Sequence, residues 1–160
     1  MRRWLGYYHR LLTWLMVGTV AVLIVPVTLQ IISRHTDLLP TWIWTEELSR
    51  FLFIWMVMLG AMIGVREGTH FEVDLWPTLG PRANALLKIV SQVFVLAFAL
   101  VFVCWGWEFV RFGWNQTSEL ADLPMVYIFL AWPVTGASWL VFLGESFYDN
   151  IRVLRGRAVE

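Results

Sequence analysis

One cysteine, three histidines and an even balance of 12 basic and 12 acidic side chains are all that this 160-residue chain offers to metal, redox or nucleic-acid chemistry. Cys104 stands alone, which excludes an intramolecular disulfide and a cysteine metal cluster. His9, His35 and His70 all lie outside the long apolar runs, so no histidine pair can hold a haem between helices. The zero net charge gives no reason to expect nucleic-acid binding or a polybasic lipid tail. Internal repeats and low-complexity tracts are missing too, and with them any solenoid or disordered linker. The deepest scarcity is of charge inside the apolar runs, where Gln30 and Gln92 are the sole amide-bearing side chains. Both read as interhelical hydrogen-bonding groups, since neither carries a proton or binds a redox metal.

What the chain has is apolar bulk. Hydrophobic residues make up 59% and aromatics 16%, with 11 tryptophans, a composition outside the range of small soluble domains. Charge-free runs extend from Leu11 to Ser33, Phe51 to Val65, Ile89 to Trp107 and Leu123 to Gly144. A helix needs about 20 residues to cross a hydrocarbon core about 30 Å thick. The expected fold is therefore an all-α integral membrane domain of four transmembrane helices, spanning approximately 11–33, 48–65, 87–108 and 124–146. The second run is short, so Leu48, Ser49 and a snorkelling Arg50 complete its crossing. Polar residues do not alternate within the runs, which argues against a β-barrel. The N-terminal run is too long for a secretory leader and no small-x-small site follows it before Arg34, so it is expected to stay as an anchor.

Basic residues set the orientation, because cationic loops are retained in the cytoplasm. Arg2, Arg3 and Arg10 precede the first span, Arg66, Arg82 and Lys88 lie between the second and third, and Arg152, Arg155 and Arg157 follow the fourth. The opposite side holds Arg34, Arg50 and Arg111. Both termini are therefore expected in the cytoplasm. Trp42, Trp44, Trp107 and Trp114 would form an outer aromatic belt, and Trp4, Tyr7, Tyr8, Trp76 and Tyr148 an inner one. Residues 66–88 form the longest connection, with apolar positions Phe71, Val73, Leu75 and Leu79 that suit an interfacial segment on the inner surface. Pro26 and Pro133 fall inside runs and are read as kinks, whereas Pro124 suits the first turn of the fourth helix.

Polar candidates cluster at the helix ends. Glu46, Glu47 and Arg50 stand at spacings of four and three that bring opposite charges together, read either as an intrahelical ion pair that helps Arg50 tolerate the interface or as a set that leaves one carboxylate for a cation on another subunit. Gly60 and Gly64, with Ala61 beside them, form a small-xxx-small surface suited to close helix approach, within the chain or against a partner. Glu108 with Arg111, and Glu145 with Asp149, read as solvated helix ends. Glu119 and Asp122 are candidates for docking an external protein. His70, Glu72 and Asp74 have no recognisable metal-ligand spacing, so an enzyme is not expected, and neither is a metal or a cofactor.

Taken together, Trp44, Glu46-Glu47, Arg50, the run with Phe53, Trp55, Gly60 and Ala61, then Arg66, His70 and Asp74 resemble the small membrane subunit of tripartite ATP-independent periplasmic (TRAP) transporters, the DctQ-like proteins. Leu123-Pro124, Tyr127 and Pro133 resemble that family's fourth helix. The resemblance implies a multi-pass protein of the bacterial inner membrane that braces a large DctM-like permease subunit. A periplasmic substrate-binding protein would deliver an organic acid, imported with sodium. It also implies a subunit interface at Trp44, Glu46, Glu47, Arg50, Gly60 and Gly64, and an inner-surface network of Arg66, His70 and Asp74. Membrane lipids are the remaining expected partners. The competing reading, a self-contained homo-oligomeric transporter, requires a membrane-embedded charge that the runs lack.

Overall fold

The computed structural model describes residues 2–36, 40, 42–67 and 81–154. They form four long helices and one short one: α1 (Arg2–His35), α2 (Trp44–Glu67), α3 (Pro81–Gly113), α4 (Val126–Phe129) and α5 (Ala131–Leu154). Strands do not occur among the described residues; the sole β-type pairing there is an isolated bridge between Thr117 and Pro124. Four stretches, Arg3–His35, Trp44–Glu67, Ile89–Gly113 and Val126–Phe147, are long and apolar enough to cross a membrane. The protein is an all-α, multi-pass membrane protein. The expected interfacial segment lies mostly at residues 68–80, outside the described residues.

The helices extend past the charge-free runs. α1 starts at Arg2 instead of near Leu11, because Leu5 and Leu12 share the face that is buried in the core. α3 starts at Pro81, a residue whose fixed φ and missing N–H suit a first helical position. The fourth span is broken into α4 and α5 around Leu130. Pro133 has no N–H to give the Phe129 carbonyl, while Leu130 N still reaches Val126 O at 2.9 Å and Val134 N reaches Leu130 O at 3.3 Å. Pro124 precedes α4 instead of opening it. Its carbonyl accepts Tyr127 N at 3.2 Å, closing a turn before the helix begins.

Helix packing runs in the series α1–α2–α5–α3, with α4 set against α3 and α2. The core at the junction of α1, α2 and α5 contains Leu5, Leu12, Leu59, Met62, Phe142 and Leu143, and Met62 is fully enclosed. Much of the remaining apolar surface is uncovered. Only 6% of the apolar window of α1 is buried, the least of the four spans, as expected for a helix facing lipid or another chain.

α3 meets α5 and α4 through residues seven apart, Gln92, Ala99, Gly106 and Gly113, all buried. A seven-residue repeat keeps one seam facing a neighbour over several turns, the geometry of left-handed packing. The seam is small because the partner backbone lies close. A Cβ on Gly136 of α5 would sit 2.8 Å from the Ala99 carbonyl oxygen, and one on Gly106 would sit 2.9 Å from the ring of Pro133. Lipid provides no hydrophobic drive between helices, so this close approach, with the dispersion contact it allows, does much of the holding.

Polar cross-links complete the bundle. Trp139 Nε1 donates to the Ala61 carbonyl at 3.1 Å and Trp55 Nε1 donates to the Tyr127 carbonyl at 2.9 Å. Gln92 donates to Ser146 Oγ. The interhelical role expected of Gln92 is thus seen, joining α3 to α5.

Candidate subunit interface

At the start of α2, two adjacent carboxylates have opposite fates. Successive helix residues point about 100° apart, so Glu46 and Glu47 cannot share a face. Glu46 points outward and meets Arg50 at 3.6 Å, with 53% and 59% of their side chains exposed. Such an exposed i,i+4 pair contributes a few tenths of a kcal/mol at most, about 0.5. Glu47 is buried, and its Oε2 accepts Ser118 Oγ–H at 2.6 Å and Leu120 N–H at 3.2 Å.

Those donors belong to the connection between α3 and α4, which folds into a compact loop. Ser118 N donates to Leu123 O at 2.8 Å, Leu123 N donates to Ser118 Oγ at 3.1 Å, and Met125 N donates to Gln116 O at 2.9 Å. Asp122 turns the chain with φ 52°, a left-handed conformation that a short polar side chain tolerates. Glu47 therefore clasps this chain's own loop. The carboxylate left over after the Glu46–Arg50 pair is consumed within the protein. Ser118 escaped the sequence reading because nothing local links it to Glu47.

Spacings of four and three carry the exposed edge of α2 from Glu46 through Arg50, Phe53 and Val57 to Gly60. The first four are exposed and Gly60 is partly so; Trp44 is 45% exposed nearby. A Cβ on Gly60 would meet nothing closer than the Met16 methyl at 3.9 Å, so its packing inside this chain is loose. Gly64 is buried. Close approach inside the chain is seen at Gly106, Gly113 and Gly136, and the signal for the first two was the seven-residue repeat on α3.

At the other end of α2, Arg66 ties three helices. Its Nη1 donates to the Leu5 carbonyl of α1 at 2.7 Å, and its guanidinium lies 5.4 Å above the Phe142 ring of α5. Tyr8 adds a second link, since Ser138 Oγ donates to the Val134 carbonyl at 2.8 Å and can accept the Tyr8 hydroxyl at 2.6 Å. His9 Nε2 lies 3.4 Å from Glu67. His70 and Asp74, expected beside Arg66, lie outside the described residues. Among the described residues, no three His, Cys, Asp or Glu side chains gather in a way that could hold a metal ion.

The arrangement is a membrane bundle with an amphipathic outer edge on α2. A family model described as tripartite ATP-independent periplasmic transporters, DctQ component, matches residues 23–153. The chain belongs to the DctQ family. Among curated relatives, the Haemophilus influenzae sialic acid TRAP transporter permease protein SiaT is 34% identical over 136 residues, which cover 80% of this chain and 21% of SiaT. The Vibrio cholerae C4-dicarboxylate TRAP transporter small permease protein DctQ is 30% identical over 95 residues, 56% of this chain and 40% of the relative. The Vibrio cholerae sialic acid TRAP transporter small permease protein SiaQ is 24% identical over 146 residues, 88% of this chain and 81% of the relative. The first two matches thus span less than two thirds of those relatives' own lengths. In SiaT the region like this chain is part of a much longer permease polypeptide. These relatives are permease components of transporters, not enzymes, and the family to which this chain belongs is that of the DctQ component of such transporters.

Proposed function

We propose that this subunit braces a large DctM-like permease in the bacterial inner membrane, within a TRAP system that imports an organic acid with sodium from a periplasmic binding protein. The observation that carries the reading is the uncovered edge Glu46–Arg50–Phe53–Val57–Gly60, polar at one end and apolar along the rest, as a membrane interface with a second protein requires. The charge-free centres of the four runs support a scaffold over an engine, because ion-coupled carriers keep ionisable groups at membrane depth. Names of relatives that contain sialic acid and C4-dicarboxylate support an organic acid as cargo.

In this reading Trp44, Glu46, Arg50 and Gly60 touch the large subunit. Buried Glu47 and Gly64 act from behind, by holding the loop and the helix in shape. Arg66 fastens the inner end, with His70 and Asp74 following it on the inner surface as part of the same network. The surplus of basic residues in the terminal segments and in residues 66–88 supports both termini in the cytoplasm.

Reconstitution into liposomes tests the proposal. Sodium-driven uptake of an organic acid is expected when this chain, its large permease and its binding protein are all present. Uptake by this chain alone would establish a self-contained carrier and overturn the assignment. Full uptake by the large permease and binding protein without this chain would also overturn it.

A further inference from the structure

We propose that the first turns of α1 hold the phosphate of an anionic phospholipid between Arg3 and Arg10, with its acyl chains lying along the same helix edge. The proposal rests on the membrane placement of α1 and is independent of what the transporter carries. Arg3, Gly6, Tyr7 and Arg10 line an open surface groove of about 340 Å³. Spacings of four, three and seven place Arg3, Tyr7 and Arg10 on one face of the helix, with Gly6 beside them. A Cβ on Gly6 would meet nothing within 4 Å, so the glycine leaves open room between the two guanidinium groups.

Neither arginine has a carboxylate partner among the described residues. At this end of the bundle the Glu67 carboxylate lies 3.4 Å from His9 Nε2, and His9 points about 100° around the helix from Arg10. Two uncompensated guanidinium groups on one face call for an anion that can accept several N–H donors, and a phosphate diester does so. The exposed Tyr7 between them adds a hydroxyl at headgroup level.

The continuation of that face identifies the source of the phosphate. Arg3, Tyr7, Arg10, Trp14, Val17, Ala21 and Ile24 follow one another at spacings of four and three, and all are exposed. The edge is thus basic and polar over its first two turns and wholly apolar over the next four, the same order as headgroup and tails in a single lipid. A free phosphate would use the arginines and leave the apolar edge unexplained. An acidic protein segment would have the same shortcoming.

Native mass spectrometry of the full chain in detergent micelles doped with phosphatidylglycerol or phosphatidylcholine tests the site. A basic side chain at the membrane surface favours an anionic lipid by about fivefold, so the pair should favour phosphatidylglycerol by about twenty-five-fold. The Arg3→Gln/Arg10→Gln variant should lose that preference. Arg34→Gln, at the opposite end of α1, should keep it. Circular dichroism confirms that each variant retains its helices. Equal retention of the two lipids by the unaltered chain, or an unchanged preference in the double variant, would overturn the proposal. Displacement of phosphatidylglycerol by an equal concentration of inorganic phosphate would show a free-anion site and overturn it too. So would a double variant that fails to co-purify with the large permease while the unaltered chain shows no lipid preference, since a protein would then occupy the face.

Discussion

Glu47 and Ser118 stand 71 positions apart in the chain and meet through a hydrogen bond of 2.6 Å, buried at the end of the bundle. The same carboxylate oxygen accepts Leu120 N–H, so one side chain on α2 organises the whole loop between α3 and α4. Replacing Glu47 with Ala leaves both donors without their acceptor, at a cost of about 1–3 kcal/mol. Hydrogen exchange at the Leu120 amide should then accelerate by roughly 5- to 150-fold, since 1.4 kcal/mol is a factor of ten. Glu47→Gln keeps an acceptor oxygen and should show a much smaller change. Equal protection in all three proteins would show that the loop is held by other means.

The glycines of this protein should divide sharply on substitution. Gly136→Leu pushes a side chain into the Ala99 carbonyl, which is helix backbone and cannot step aside, so a loss of about 1–3 kcal/mol or more is expected. Gly60→Ala meets one flexible methionine methyl at 3.9 Å and should change stability by less than about 0.5 kcal/mol. Loss of helicity on titration with a denaturing detergent would compare the two. Equal sensitivity would refute the assignment of the tight seam to α3 and α5.

The inner end of the bundle depends on Arg66. Arg66→Ala removes the donor to the Leu5 carbonyl and the cation above Phe142, together about 1–3 kcal/mol. The expected consequence is local: faster hydrogen exchange in the first turns of α1, with the Leu120 amide unaffected. Tyr8→Phe removes the link to Ser138, whose own hydroxyl still reaches the Val134 carbonyl, so a smaller loss of about 0.5–1.5 kcal/mol is expected.

Glu46 and Arg50 test the proposed interface. Their pair is more than half exposed, so Glu46→Gln or Arg50→Gln should leave the stability of the isolated chain within about 0.5 kcal/mol. Co-purification with the large permease should fall for Arg50→Gln and for Phe53→Ala. Full retention by both would remove this edge of α2 from the interface.

Much of the fold was legible because the relevant physics is local. A charge-free run of the right length must cross the bilayer whatever its neighbours are, and Leu11 to Ser33 or Ile89 to Trp107 satisfies that condition without any tertiary contact. Helix ends were less legible. α1 continues back to Arg2 because Leu5 finds a buried place among α1, α2 and α5, and a hydropathy reading places the boundary where the charges start. The break at Leu130 could be expected from Pro133, but the turn built on Pro124 depends on its bridge to Thr117.

Residue types and spacings by themselves determined that this is a four-span membrane protein, that its centres hold no charge, and that Glu46, Glu47 and Arg50 gather at one helix end. Each is a property of a single segment measured against the thickness and low polarity of the bilayer. Tertiary structure alone decided that Glu47 turns inward to Ser118 while Glu46 stays outside, and that Gly106 and Gly136 carry the tight packing while Gly60 is left loose. Those outcomes depend on which helix lies beside which, and two residues 71 positions apart have no way to signal their contact in the order of the chain.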